Sequence, residues 1–325
     1  MAIFQRSEVV IGAILLGAMV LIGFINPAFW HLDNLFSLLR SNVIIGIMAL
    51  GVLLVMISGG IDVSFPAFAV AAMYLTIKGM ILLGYDGVVL PLIVATLMGA
   101  AFGAVNAFFV HKIRMIPLIV TLGTGSMVRG FLLGVVGTSM INIDKMPRAL
   151  IDFAKQDAIS MRNADGTTYG LTAMVLVYIG LAILIGWILR HTMIGRGIYA
   201  YGGDKEAASR AGFNTGAIVF FVYCTAGALA GFAGLLHGGM IWLANPRDFV
   251  GLELDVIAAV VLGGASIFGG RGGVVGTMLG VFMLVMIKNS LIILKVDTTW
   301  QRVVVGIVIV IATAITAWRD RRRGA

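Results

Sequence analysis

Few side chains in this sequence have the type and spacing needed for bond-making chemistry. The four histidines (His31, His111, His191 and His237) are scattered near the ends of apolar stretches. No HExxH, CxxC or GxSxG pattern accompanies them, so no metal site and no catalytic residue is expected. The only thiol, Cys224, lies inside an apolar run and reads as a packing residue. A GxxxxGK[ST] phosphate loop is also missing, so this chain has no such route to ATP. What remains is a handful of polar groups framed by hydrocarbon: Asp62, Asn106 and Arg129. Such groups in apolar sequence pair with one another, snorkel, or line a path for solute.

The elements that position these groups follow from composition. Of 325 residues, 60% are hydrophobic and 12% are charged, more apolar surface than a soluble fold of this length can hide. Runs of 17–25 apolar residues recur along the chain, each able to cross about 30 Å of hydrocarbon as a helix. The expected fold is an all-α polytopic membrane protein, a single domain over 1–325. Ten helices are expected at about 8–26, 42–58, 65–84, 88–110, 116–137, 170–189, 215–236, 252–266, 274–292 and 299–318. Pro66, Pro91 and Pro117 fall at proposed helix starts, where a missing N–H costs nothing. The net charge of +8 fits topology rather than nucleic acid. Arg6, Lys112, Arg114, Arg190, Arg196, Lys205, Arg210, Arg271 and the 319–323 tail fall on one side. Asp33, Asp86, Asp144, Asp152, Asp157, Asp165, Asp248, Glu253, Asp255 and Asp297 fall on the other. This positive-inside pattern places both termini in the cytoplasm.

Glycine is abundant, with 43 residues, and it is patterned. Gly99 and Gly103, Gly227 and Gly231, and Gly272, Gly276 and Gly280 recur at i+4, which lets helix backbones approach closely in lipid. Two segments break helical regularity, SGGIDVS at 58–64 and GGASIFGGRGG at 263–273. Unwound backbone at membrane depth is tolerated only beside protein or a water-filled cavity. Gly59, Gly60, Asp62, Ser64, Gly263 and Gly264 are therefore candidates for a path or gate. For Asp62 and Ser64 the competing reading is a helix cap before Pro66. Asn106 competes with a plain interhelical hydrogen bond, and Arg129 with snorkelling.

Two connections are long. Residues 138–169 are expected outside, with a short helix near 146–157. Residues 190–214 are expected inside and hold GRGIYAYGGDKEAASRAGFN, a polar block in an apolar chain. Within it Glu206–Gly212 reads as a short helix, with Asp204 as N-cap and Gly212 at the left-handed C′ position. Its small alanines, Ala207 and Ala208, would let a partner's groove close around it.

The spacing from Glu206 to Gly212 resembles the coupling loop of ATP-binding-cassette importer permeases. Together with SGGIDVS at 58–64, IPxxVTLGT at 116–124, GRxxYAxGGDxEAAxxAG at 195–212 and the glycine-rich run at 251–280, the chain is similar to ribose/galactose-type sugar permeases of bacterial importers. The resemblance covers nearly the full chain, and the I-x-L-P element of many other permeases is missing after Gly212. It implies a bacterial inner-membrane location, a second permease subunit, cytoplasmic ATP-binding subunits and a periplasmic sugar-binding protein. It also implies that Gly195, Asp204, Glu206, Ala207, Ala208 and Gly212 belong to the coupling segment. ATP and Mg would be used by the partner ATPase, and no cofactor by this chain. On the external loops, Arg148 and Lys155 are candidates to meet the binding protein, against the plainer reading of a solvated loop. The expected function is inward transport of a neutral monosaccharide. An ion-coupled secondary carrier is the alternative, and the lack of an acid at mid-depth counts against it.

Overall fold

The computed structural model describes residues 7–162 and 168–297, with isolated helical positions from 300 to 310. The expected last span at 299–318 lies largely outside the described residues. Arg6, Asp165 and the basic tail at 319–323 lie wholly outside them.

Helices dominate: α1 (Ser7–Ile25), α2 (Leu32–Ile57), α3 (Phe65–Leu83), α4 (Val89–His111) and α5 (Pro117–Phe131) form the first half. A π turn, Leu132–Val136, extends α5. Then come α6 (Arg148–Lys155), α7 (Met174–His191), α8 (Met193–Gly203), α9 (Lys205–Arg210), α10 (Thr215–Ile241), α11 (Leu252–Leu262) and α12 (Val274–Ile293). Seven helical segments among the described residues are long and apolar enough to cross a membrane: 32–57, 65–83, 89–111, 117–136, 174–191, 215–241 and 274–293.

The described residues are predominantly helical, as the all-α expectation has it, and three helix bounds need correction. The long connection after α6 adds one short hairpin, in which β1 (Asp157–Arg162) and β2 (Thr168–Thr172) pair antiparallel. Tyr169 and Thr172 suit a strand better than a helix start, so α7 begins at Met174 rather than 170. The second span begins at Leu32, ten residues before the expected 42. Arg40 is accommodated there because its guanidinium donates to the Met240 carbonyl at 3.0 Å. The expected span 252–266 ends at Leu262, and eleven residues cover only about 17 Å, roughly half the hydrocarbon thickness.

At the centre lie α2, α3 and α10, the most enclosed of the spans. Contact between α4 and α10 is made backbone to backbone. A Cβ on Gly99 would strike the Gly227 carbonyl oxygen, and one on Gly227 would strike that of Gly99. Gly103 meets the Tyr223 carbonyl, and Gly231 meets that of Ala95, in the same way. Lower down the stripe, Gly234 abuts the Ala69 carbonyl of α3. The expected i+4 glycine pairs of α4 and α10 thus face one another. Of the third set, Gly280 packs on Ala259 and Gly276 on Gly263, both joining α12 to the end of α11.

At the α5–α6 end the irregular segments are tied down by named bonds. Val136 in the π turn accepts from Lys78 Nζ at 2.6 Å, and Ser139 accepts from Tyr74 at 2.8 Å. Ile141 and Ala244 exchange both main-chain bonds at 3.0 Å, joining the segment after α5 to the segment after α10. Lys288 of α12 pairs with Asp255 of α11.

Replacing Gly227 by Leu should force α4 and α10 apart and destabilise the fold by about 1–3 kcal/mol. Thermal unfolding in detergent checks this, with Gly12→Leu as the control, because nothing lies within 4 Å of a Cβ at Gly12.

Candidate functional site

Two neighbouring arrangements at one end of the bundle form the candidate site: a buried polar network and the exposed helix α9. Asp62 sits in the 58–64 turn between α2 and α3. Its Oδ1 accepts from the Ser64 N–H at 2.7 Å and from the Ser64 hydroxyl at 2.6 Å. Asn106 of α4 donates to Ser64 Oγ at 2.9 Å, and Thr124 of α5 donates to Asn106 Oδ1 at 2.7 Å. Thr121 accepts from the Val63 N–H at 3.3 Å. All five side chains are buried. The structure therefore brings Asn106 to Asp62 and Ser64 across 42 positions of sequence, and adds Thr121 and Thr124. Both threonines lie in the IPxxVTLGT stretch, at three-residue spacing on one face of α5, which was the available signal.

Of the two readings of Asp62, the hydrogen bonds display the cap. It caps a local turn, and through Ser64 it also anchors α4 and α5. Arg129 lies two turns beyond Thr121 on α5 and takes no part. Its Nη1 is buried with no hydrogen-bond partner among the described residues. Gly264, in the left-handed region at φ +89°, closes the end of α11. Gly263 makes the α11–α12 contact, against Gly276 and Thr277.

The glycine segments meet elsewhere. Ile57, at the end of α2, accepts the Gly270 N–H at 2.8 Å. A Cβ on Gly202 of α8 would run into that same Ile57 carbonyl and lie 2.8 Å from the Gly270 nitrogen. Gly269 adopts φ +89°, and a Cβ there would lie 2.8 Å from Gly59 Cα. Three segments, 57–60, 202–203 and 268–270, are thus stacked main chain on main chain. Tyr199 adds a bond from its hydroxyl to the Gly272 carbonyl at 2.8 Å. Burial raises the Tyr199 and Tyr201 hydroxyls above the usual tyrosine range, so Tyr199 remains a donor.

Immediately after Gly203 comes α9. Asp204 Oδ1 accepts from the Glu206 and Ala207 N–H groups, both at 2.9 Å. These bonds, that of Ala207 first, hold its carboxyl below the usual carboxylate range, and nearby Arg210 adds to the effect. At the other end Gly212 lies at φ +85°, which favours glycine. Its N–H bonds the Ser209 carbonyl at 3.0 Å and the Phe213 N–H bonds that of Ala208 at 3.1 Å, a Schellman closure. Glu206 and Arg210 are exposed and 3.6 Å apart. Ala207 is also exposed, but Ala208 turns inward and is buried, so only one of the two alanines is open to a partner's groove. Gly195 is buried in the first turn of α8, where a Cβ would strike the Ile188 carbonyl. Its place is the α7–α8 packing, away from the exposed face.

At the opposite end, Arg148 starts α6 and is exposed. Lys155 lies 3.9 Å over the Trp242 ring, a cation–π contact that fastens α6 to the end of α10.

Comparison with known families decides what kind of molecule carries this arrangement. Residues 34–313 match the family described as the branched-chain amino acid transport system / permease component. The chain belongs to this permease family. It is 32% identical over 306 residues to the ribose import permease protein RbsC of Escherichia coli K12, covering 93% of this chain and 91% of that protein. The ribose import permease protein RbsC of Bacillus subtilis is 34% identical over 307 residues, covering 94% and 90%. The autoinducer 2 import system permease protein LsrC of Yersinia pseudotuberculosis is 29% identical over 289 residues, covering 89% and 78%. No solved structure matches. This permease is a multi-pass inner-membrane transport subunit.

Two outcomes follow from the geometry. Asn106→Leu removes the link between Ser64 and Thr124 and should cost about 1–2 kcal/mol, read by thermal unfolding. Asp204→Ala should speed amide exchange at Glu206 and Ala207 at neutral pH. Because the folded pKa of Asp204 is lowered, the cap acts above the ordinary carboxylate pKa and is lost as pH falls through the lowered value. The difference between the two proteins in α9 helicity, followed by NMR, should vanish there.

Proposed function

We propose that this permease moves a monosaccharide, or a sugar-like solute, inward through an ATP-driven importer. The observation that carries the coupling half of this reading is the stacking of Gly202 on Ile57 and Gly270, directly before the exposed, doubly capped α9. A push on α9 reaches both broken-helix segments through main chain, with no flexible side chain in between. Asp204, Glu206, Ala207 and Gly212 form the docking surface for the ATPase, while Gly195 and Ala208 seat it on the bundle. ATP and its Mg are bound by that partner, and this chain uses no cofactor of its own.

The network of Asp62, Ser64, Asn106, Thr121 and Thr124 acts as the inner gate. It holds the 58–64 turn to α4 and α5, and it shares that turn with Gly59 and Gly60 of the junction. Gly263 and Gly264 serve the gate indirectly, by fixing the α11–α12 end of the other segment. Arg129, with an unpartnered buried nitrogen in α5, is assigned to the path. A neutral sugar needs few charges along its route, in keeping with the scarcity of ionisable groups in the spans. The relatives named as ribose and autoinducer 2 import permeases support this cargo class.

The proposed arrangement is one domain over 1–325, with ten membrane-inserted helices and both termini cytoplasmic. The segments 42–58 and 252–266 become α2 and the half-length α11 in this count. The positive-inside distribution supports the orientation. The partners are cytoplasmic ATP-binding subunits, a second permease subunit, the lipid bilayer and a periplasmic sugar-binding protein received near α6, the hairpin and the 242–251 segment. Arg148 is the freer of the two cations proposed for that contact, since Lys155 is already engaged by Trp242.

Proteoliposomes test the reading. With binding protein, ATPase and enclosed ATP, labelled ribose should accumulate, and omission of the ATPase should abolish uptake. Uptake by this chain alone under a proton or sodium gradient would sink the importer assignment in favour of an ion-coupled carrier. Gly202→Val should leave the ATPase bound but break transmission, so that ATP is hydrolysed without ribose uptake. Gly212→Val should instead strain the end of α9 by about 1–2 kcal/mol and weaken ATPase co-purification several-fold.

A further inference from the structure

A cavity of about 580 Å³ lies beside the junction, between the end of α7, α8 and the start of α12. Its apolar lining is Ile183, Leu189, Val274 and Val275. Arg190, His191 and Trp187 also line it, where the apolar α7 span gives way to polar sequence. Both basic residues are exposed, and neither has a hydrogen-bond or ion-pair partner among the described residues. The Trp187 ring stacks on His191 with centroids 6.4 Å apart. Among the described residues, no carboxylate lines the cavity. Asp204 and Glu206 are the acids nearest in sequence on this side, and Arg210 already engages Glu206. By contrast, the neighbouring Arg196 points its guanidinium to Met193 Sδ at 2.8 Å.

We infer that this cavity holds the phosphate headgroup of an anionic phospholipid, with the first acyl carbons against Ile183, Gly186 and Val275. Basic pockets between spans at the headgroup level recognise such lipids, and an indole ring marks the same level. The carbon-rich wall argues for a lipid over free phosphate, because an inorganic anion gains nothing from contact with isoleucine and valine side chains. Ile183, Trp187 and Val275 also open outward, on the face that the span presents to the bilayer.

The site has a mechanical consequence. Tyr199 lines the cavity and donates to Gly272, next to the Gly273 that lines it as well. A bound lipid therefore braces α8 against the start of α12, beside the stacked glycines. This rests on chemistry separate from the cargo assignment.

Native mass spectrometry of the full-length chain, titrated at pH 7 with phosphatidylglycerol or phosphatidylcholine, tests the inference. Phosphatidylglycerol should bind about five-fold more than phosphatidylcholine at equal concentration. R190Q combined with H191Q should remove that preference, while R196Q should keep it. G186L fills the apolar end and leaves every charge in place. A Cβ there meets Val274 only at 3.8 Å, so the variant folds and should bind less of both lipids. Equal binding of the two lipids by the unaltered chain, or an undiminished preference in the double variant, would overturn the assignment. So would displacement of phosphatidylglycerol by an equal concentration of inorganic phosphate, which would make the site one for the free anion. The readout is lipid alone, so it is independent of any failure in sugar uptake.

Discussion

The crossing of α4 and α10 is the contact on which the remaining geometry depends. Lipid supplies no hydrophobic drive to bring helices together, so attraction comes from close packing and interhelical hydrogen bonds. Glycines on both helices let carbonyls occupy the space where a Cβ would stand. This fixes the depth and rotation of α4 to within an atom's width. Asn106 lies one turn past Gly103, so its amide is aimed by the same contact. On α10, Tyr223 supplies the carbonyl that Gly103 meets, and its hydroxyl would lie 2.7 Å from a Cβ on Gly60. The polar network and the 58–64 turn are thus placed by a crossing whose chief residues carry no side chain.

The network and the junction use different physics. Side-chain hydrogen bonds among Asp62, Ser64, Asn106 and Thr124 are buried and can exchange partners when helices shift. The stacked main chain at Ile57, Gly202 and Gly270 has no rotamers to absorb a displacement. A rigid contact close to α9 and a rearrangeable one farther in are what the proposed transmission from α9 to a gate requires. The segments after α5 and α10 are also stapled together, through the Ile141–Ala244 bridge and the Lys155–Trp242 contact.

Much of this was legible in the sequence where the determinants are local. Apolar length located the long spans, and the Asp204 and Gly212 caps follow from backbone rules a few residues wide. The i+4 glycines announced close helix contacts but not which helices would meet. Arg40 hid the first ten residues of α2, because its partner is a carbonyl 200 positions away. The hairpin was missed because polar, mixed-charge sequence carries little periodic signal. Asp62, Ser64 and Asn106 were each conspicuous alone. Their convergence with Thr124 depends on the packing of three helices, which no single stretch of sequence encodes. Ala208 was misjudged because a six-residue helix has no periodicity long enough to reveal its inner face.

The glycine crossing also imposes an order on biogenesis. Gly99 and Gly103 leave the ribosome long before Gly227 and Gly231 exist. Until α10 is inserted, α4 offers the bilayer a groove of bare backbone with nothing to fill it. The later half of the chain completes the earlier one rather than folding beside it. A ribosome stalled between α7 and α10 would leave the earlier spans made and the helix that completes their centre absent. Such a species is a natural substrate for membrane quality control.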